Sequence, residues 1–231
     1  MKQRSSLLGL LFLACLALGP GGHPLSALGF KSLDPRMGVI YVPSPNLLDA
    51  QGYPAGDAPV LTNFLGFGST LPLGGLFAWE PALDLSWAYH LWSADNNRAL
   101  PAEIASRTSF TLSFLLQSPF VLELPVSLDW NIALGVGPAF NLRWGLLASM
   151  SGADAAIAAP EVKKINAWFY GGGRWFLPET FLRVGYRLTE RVDFSFSALA
   201  FWPLSNAWNG ATMALDDGIF GGELRVRASL K

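Results

Sequence analysis

Apolar residues recur at every second position over long stretches of this chain. From Phe120 to Trp144 every even-numbered residue is apolar, while the odd-numbered residues between them are mostly small or polar. Successive side chains of a β-strand point to opposite faces of the sheet. The pattern therefore predicts strands with one apolar and one polar face. The same alternation recurs in four other segments, which are residues 77–91, 104–116, 192–202 and 220–230.

The connections between these segments alternate between short and long. Short turns are predicted where Pro, Gly or polar residues interrupt the alternation, at Leu71–Gly75, Gln117–Pro119 and Thr189–Glu190. The long connections are 43–61, 93–103, 145–163 and 204–217. Short turns at one end and long loops at the other are typical of bacterial outer-membrane barrels. The eight predicted strands are residues 30–42, 62–71, 76–92, 104–117, 120–144, 164–188, 191–203 and 218–230.

Two of these predicted strands are unusually long. A strand that crosses the hydrocarbon core needs about 9–11 residues, and segments 120–144 and 164–188 are more than twice that length. We expect their outer halves to form a ribbon beyond the bilayer. In an alternative interpretation, Gly135–Pro138 and Leu177–Thr180 are turns, and the barrel then has ten strands.

The bulk of the apolar residues indicates what covers them. The chain has nine Trp and 16 Phe but only 14% charged residues, against about 25% in average globular proteins. Large rings fit a lipid-facing surface better than a thin sandwich core, since buried Trp N–H groups need partners. The predicted fold is therefore all-β: a closed antiparallel up-and-down transmembrane β-barrel of eight strands. The predicted lipid-facing or interfacial aromatics are Trp79, Trp87, Tyr89, Trp130, Tyr186 and Trp202.

The first residues have the features of a secretory signal peptide. Two basic residues precede an apolar run, Leu7–Leu18, that is too short to span a bilayer. We expect a signal helix at 1–27 with cleavage near Ala27, followed by a barrel domain at 28–231 in the outer membrane. Cys15, the only cysteine, is expected to be removed with the signal peptide, and the alternative is an acylated cysteine of a lipoprotein.

Charged residues occur mainly on the polar face of the predicted strands. An eight-stranded barrel is just wide enough for side chains to fill, and buried charges must be paired. Matched acids and arginines on this face predict a salt-bridged plug, and the alternative is a narrow or gated path lined by the same groups. The predicted interior residues are Glu80, Asp84, His90, Arg107, Glu123, Asp129, Arg143, Arg183, Arg187, Asp193, Glu223, Arg225 and Arg227.

The sequence offers little catalytic chemistry. His90 is the only histidine after the signal peptide, and Ser93, three residues on, would lie on the opposite strand face, so no catalytic pair is predicted. One histidine without a cysteine does not make a metal site. A net charge of −1 gives no electrostatic reason to bind nucleic acid. We therefore expect no enzyme activity, no cofactor, no metal and no nucleic-acid partner.

In length, strand number and strands that extend beyond the membrane, residues 30–231 resemble the OmpW family and, in architecture, barrels of the OmpA/OmpX type. The terminal Leu230-Lys231 departs from the final aromatic residue usual in such barrels, which points to a lineage such as the spirochaetes. The resemblance implies a narrow, porin-like channel that transports small hydrophobic solutes. One alternative is a closed structural barrel, or adhesin, whose surface loops bind host or surface molecules. A third is a lipid-modifying enzyme, and in each case outer-membrane lipid is the expected partner.

Overall fold

The chain folds into one antiparallel β-sheet in this computed structural model, which describes residues 30–42, 60–93, 98–100, 108–148, 163, 166–167, 170–204 and 219–230. The all-β antiparallel class predicted from the alternation is confirmed. No helix in these ranges is long and apolar enough to cross a membrane. The strands are β1 (Ser32–Val42), β2 (Val60–Gly68), β3 (Leu71–Gly74), β4 (Phe77–Trp79), β5 (Ala82–Ser93), β6 (Arg98–Leu100), β7 (Thr108–Gln117), β8 (Phe120–Pro125), β9 (Trp130–Gly137), β10 (Ala139–Ala148), β11 (Glu179–Arg187), β12 (Val192–Phe201) and β13 (Ile219–Ser229).

The strand order bends the sheet back on itself. The order is β10-β7-β5-β2-β1-β13-β12-β11-β9-β8-β4-β3, and β6 pairs with β5. β1 has a hydrogen-bonded neighbour on each side, β2 on one and β13 on the other. At the ends of the order, β10 follows directly on β9 in the chain, and β8 follows directly on β7. The sheet is therefore curled.

Several strands that are neighbours in the chain continue one another. Gln117 faces Ala139, and Phe120 faces Val136, so the β7–β10 pairing runs into the β8–β9 pairing without a shift in register. Across the gap, the backbone N–H of Ser118 donates to the carbonyl of Pro138 at 3.0 Å. The β2–β5 pairing runs into the β3–β4 pairing in the same way. These junctions are interruptions within long strands.

The predicted turn at Gln117–Pro119 is therefore wrong, because the chain reverses between β8 and β9 instead. The hydroxyl of Ser127 accepts hydrogen bonds from the backbone N–H groups of Asp129 and Trp130 at 3.3 and 3.1 Å. The backbone N–H of Val126 donates to the carbonyl of Trp130 at 2.9 Å. Segment 120–144 is thus a hairpin and not one strand, so the ribbon predicted beyond the bilayer is wrong as well. Even-numbered residues remain on one face because the hairpin pairs even with even positions.

The other two predicted short turns are close to those observed. The chain reverses at Gly75-Leu76, next to Gly74 with φ of 119°, and Gly75 itself has φ of 59°. Such left-handed values favour glycine. The turn after β11 contains Thr189, whose hydroxyl accepts from the backbone N–H groups of Arg191 and Val192 at 3.2 and 3.1 Å. The three turns lie at the same end of the sheet, which we call the short-turn end.

The ten-strand alternative is wrong. It requires turns at Gly135–Pro138 and Leu177–Thr180, and the chain reverses at neither. Glu179 faces Gly137, and Phe176 faces Phe140 in the same register, so both segments run straight on past these positions.

The two faces of the sheet are reversed with respect to a water-soluble protein. Many of the exposed side chains are large and apolar, and most of the fully buried ones are polar or charged. One apolar cluster is buried as well, which we call the apolar layer. Its residues are Phe64, Leu115, Ala139, Leu177, Leu199 and Phe201.

Candidate functional site

A network of charged side chains occupies the buried face towards the short-turn end. The alternation places these residues at inward positions of β1, β5, β8, β11 and β13, and at Glu80 between β4 and β5. We call this network the ionic cluster. It consists of Asp34, Arg36, Glu80, Asp84, Glu123, Glu179, Arg183, Glu223, Arg225 and Arg227.

Glu80 is the centre of the cluster. Its Oε2 accepts hydrogen bonds from Arg183 at 2.7 Å and from Arg225 at 2.5 Å, and its Oε1 accepts one from Arg227 at 2.5 Å. Arg183 and Arg227 also pair with Glu123, at 2.9 and 2.8 Å. Charge-assisted bonds of this kind are about twice as strong as neutral ones. The Glu80 carboxylate thus joins the chain around β4 to β11 and β13.

A second group of contacts surrounds Arg36. Its guanidinium donates two hydrogen bonds to the carboxylate of Asp84, both at 2.6 Å, and lies 3.2 Å from Glu223. Gln117 donates to Asp84 at 2.7 Å, and the hydroxyl of Ser197 donates to Glu223 at 3.2 Å. A planar guanidinium binding a carboxylate through two bonds is the most specific geometry available to such a pair.

Sequence reasoning missed three members of the cluster, Asp34, Arg36 and Glu179. Asp34 accepts hydrogen bonds from Arg225 and, at 3.1 Å, from the hydroxyl of Thr70. The signal was present for all three. Asp34 and Arg36 hold even positions of β1, on the face opposite to its exposed odd positions. Glu179 holds an odd position of β11, as does the buried Arg183, so the two share a face.

The structure brings together seven of the residues predicted for the interior and places others elsewhere. Glu80, Asp84, Arg183, Glu223 and Arg225 are buried, and Glu123 and Arg227 are partly buried beside them. Arg187 is 59% exposed and lies 3.8 Å from Asp193 at the edge of the cluster. Asp129 is exposed in the β8–β9 turn, so its predicted interior position is wrong. The side chain of His90 and the whole of Arg107 lie outside the described part of the chain, as do Cys15 and the signal peptide with its cleavage near Ala27.

Three of the predicted lipid-facing aromatics are exposed on the outer face. Trp87, Trp130 and Tyr186 are each between about a third and a half exposed, as expected for aromatic side chains on the outer face of a membrane barrel. The rings of Trp130 and Tyr186 are neighbours, with centroids 4.9 Å apart. The side chain of Tyr89 is outside the described residues.

The other two predicted aromatics are partly buried and hydrogen-bonded. The indole N–H of Trp79 donates to the hydroxyl of Ser118 at 2.8 Å, and that of Trp202 donates to the hydroxyl of Thr180 at 3.0 Å. Each bond satisfies the polar atom of a ring that is otherwise apolar, which is the arrangement that suits a lipid interface.

A separate group of contacts fixes the chain before β11 against β10. The hydroxyl of Tyr170 donates to the backbone carbonyl of Arg143 at 3.0 Å, and the guanidinium of Arg143 donates to the carbonyl of Arg174 at 3.2 Å. Burial lowers the pKa of the Arg174 guanidinium below its ordinary value. The Trp175 ring stacks on Phe140 with centroids 5.8 Å apart. Arg143, predicted for the interior, therefore holds this turn and lies apart from the ionic cluster.

The ionic cluster is built of charged side chains that compensate one another's charge inside the sheet. Its arginines and most of its carboxylates are engaged with each other. In the described ranges, no group of three or more His, Cys, Asp or Glu side chains is arranged to hold a metal ion.

No protein-family model and no curated protein sequence matches the chain. Solved structures of membrane barrels do match it. Neisserial surface protein A is 10% identical with a TM-score of 0.43, covering 87% of this chain and 97% of its own. The N-terminal β-barrel domain of Pseudomonas aeruginosa OprF is 9% identical, with a TM-score of 0.41 and coverage of 87% and 98%. Ail, the attachment invasion locus protein of Yersinia pestis, is 6% identical, with a TM-score of 0.43 and coverage of 87% and 97%. These values are too low to establish a family or a function.

Proposed function

We propose that this protein is an integral outer-membrane β-barrel of eight strands whose interior is filled, and that it acts through its long connections rather than through a pore. The observation that carries the proposal is the reversal of the two faces, with bulky apolar residues outside and a paired ionic cluster inside. A single sheet with this reversal is stable where lipid covers the outer face.

The pairing pattern supports an eight-stranded closed barrel. When β2 is joined with β3, β4 with β5, β7 with β8 and β9 with β10, and β6 is set aside as a short extra strand, eight long strands remain. Each has antiparallel partners on both sides. Following the registers from Ile40 through β13, β12, β11, β9, β8, β4 and β3 returns to the start of the first strand at Phe30, about ten residues away. A stagger of this kind tilts the strands of a small barrel.

Filling of the interior supports a role other than passage. Towards the short-turn end the ionic cluster ties opposite walls together, and the apolar layer is closed to solvent, with Phe64 and Phe201 both 1% exposed. A barrel of this strand number has room for side chains and little else. We infer that the barrel is a stable support for surface connections that bind host or surface molecules.

Planar-bilayer recording tests the filled interior. We expect the purified, processed protein to give no regular conductance steps. The different migration of unheated and heated protein on a detergent gel checks that the barrel is intact. Glu80→Ala removes the carboxylate at the centre of the ionic cluster and is the positive comparison. We expect this variant to conduct more readily than the unmodified protein, because any opening of the filled interior should begin at Glu80. Reproducible steps from the unmodified barrel would contradict the filled interior.

One observation favours the second candidate, an OmpW-like narrow channel. The apolar layer is the kind of surface that a small hydrophobic solute would contact on its way through. Uptake of such a solute into liposomes carrying the protein separates the candidates, since the filled barrel should add nothing to the rate seen with lipid alone. The channel would be favoured if the unmodified protein raised the uptake rate above that of lipid alone and Phe64→Ala raised it further.

We propose that the protein has no enzymatic activity, that residues 1–27 are a signal peptide that directs its export, and that this segment is removed by cleavage near Ala27. Cell fractionation combined with N-terminal sequencing of the membrane-bound form tests the second and third points. Lipid-modifying activity that is present in the protein and lost in His90→Ala would overturn the first.

A further inference from the structure

One carboxyl group in the ionic cluster stands apart from the others. Glu179, at the start of β11, is only 1% exposed, and neither of its carboxyl oxygens has a hydrogen-bond partner. The other four buried carboxyl groups in the described chain each accept at least one hydrogen bond. They are Asp34, Glu80, Asp84 and Glu223.

The charges of the cluster do not balance. Five carboxyl groups are buried with three guanidiniums, and the partly buried Glu123 and Arg227 add one of each sign. If every group were ionised, the ionic cluster would carry two uncompensated negative charges. Isolated buried charge is so costly that a group of this kind normally becomes neutral.

The groups that face Glu179 show where that neutral form belongs. The charged residues that act on it are Arg36 on β1, Asp84 on β5, Glu223 on β13 and Glu80. Three of these are acids, and the guanidinium of Arg36 is already bound to Asp84 and close to Glu223.

The strands beside β11 supply no compensating charge. Across the two flanking strands, Glu179 is paired with Gly137 and Phe201, neither of which is charged. An ionised Glu179 would therefore be buried among like charges with no donor of its own.

We propose that Glu179 is a proton-binding site inside the barrel, and that its side chain is a neutral carboxylic acid at neutral pH. A proton fits the site better than a metal ion, because the described acidic groups are not arranged as metal ligands. Binding adds a proton to one carboxylate oxygen, and release returns it to water at alkaline pH. The proposal concerns the interior alone and does not depend on what the surface connections bind.

The direction of the pH dependence follows from proton linkage. In the unfolded chain an exposed glutamate ionises near pH 4.3, whereas the folded barrel keeps the proton. Above that pH the folded state holds one more proton than the unfolded state, so stability falls as pH rises until Glu179 also ionises.

Infrared difference spectroscopy on the purified barrel in detergent tests the site directly. Between neutral and alkaline pH, we expect the unmodified protein to lose a neutral-carboxyl C=O band, and Glu179→Gln to lack that change. Glu190→Gln, the same chemical change at an exposed turn position away from the ionic cluster, should keep the band. A neutral-pH spectrum in which the unmodified protein and E179Q have the same carboxyl band would overturn the proposal.

Urea unfolding at a series of pH values gives a second measurement. E179Q should be at least as stable as the unmodified protein at neutral pH, and the difference in its favour should grow as the pH rises. Glutamine resembles the neutral acid in shape, so an E179Q chain that fails to fold, or one that loses stability relative to the unmodified protein with rising pH, would overturn the proposal.

Discussion

At the scale of single residues, the position of a charge in this protein matters more than its type. Glu80 and Glu179 are both buried glutamates, but the first accepts hydrogen bonds from three arginines and the second from none. A buried charge that loses its partner is strongly destabilising, whereas a neutral buried group needs no counter-charge. The same substitution should therefore have opposite consequences at the two sites.

We predict that Glu80→Gln lowers the stability of the barrel by about 3–5 kcal/mol, because three guanidiniums lose their shared anion. Urea unfolding in detergent micelles, followed by tryptophan fluorescence, measures the change. Glu190→Gln, at an exposed turn position, is the matched control and should change stability by less than about 0.5 kcal/mol. Equal effects at the two positions would show that the contacts of Glu80 add no net stability.

Sequence alternation placed most of the ionic cluster on the polar face, but it could not say which members meet. Glu80 and Arg225 lie 145 positions apart in the chain, so their contact depends on how the sheet curls. Asp129 continues the odd positions of its segment, so alternation predicts an interior position, and the turn that contains it leaves that pattern unchanged. Alternation shows which face of the sheet a residue occupies, but it carries no information about where a strand ends and a turn begins.

At the scale of the elements, the hairpin of β8 and β9 shows the limit of a two-residue pattern. Because Phe120 pairs with Val136 and Leu124 with Ile132, the apolar positions continue across the turn as if the strand had not ended. Local chemistry marks the turn instead. Pro125, Ser127 and Asp129 are typical turn residues, and the Ser127 hydroxyl makes the bonds that close it.

An insertion experiment distinguishes the observed turn from the one predicted at Gln117–Pro119. Two residues, Gly-Ser, inserted between Leu128 and Asp129 should leave folding intact, because the site is an exposed turn. The same insertion between Ser118 and Pro119 should prevent folding, since it shifts the register of β8 against β9 and breaks the bond from Ser118 to Pro138. The shift of folded protein on unheated gels reads both outcomes, and tolerance of both insertions would contradict the continuous strand.

At the scale of the whole molecule, the reversed distribution of apolar and polar residues is the property from which the proposed location follows. The sequence was sufficient for this, because lipid-facing and inward positions alternate throughout. The pairing of β1 with β13, at the other end of the described chain, could only be seen in the structure.

We predict that the cost of introducing a charge on the outer face depends on its position along the strand and not on how exposed the residue is. Leu224, in the middle of β13, is 60% exposed, and Leu128, in the β8–β9 turn, is 88% exposed. In a bilayer, Leu224→Arg should cost about 2–4 kcal/mol and Leu128→Arg about 0–1 kcal/mol. Refolding equilibria in lipid vesicles measure both variants, and equal small effects would mean that lipid does not cover the middle of β13.

The backbone N–H of Leu230 donates to the carbonyl of Lys31 at 2.7 Å, so the two ends of the described barrel touch. A short peptide could join them there, and the covalent chain could then be opened within any one of the long connections. Such a rewired polypeptide would place every strand beside its present neighbours in a new linear order. The contacts between neighbouring strands, and not the order of the strands along the chain, would then specify the fold.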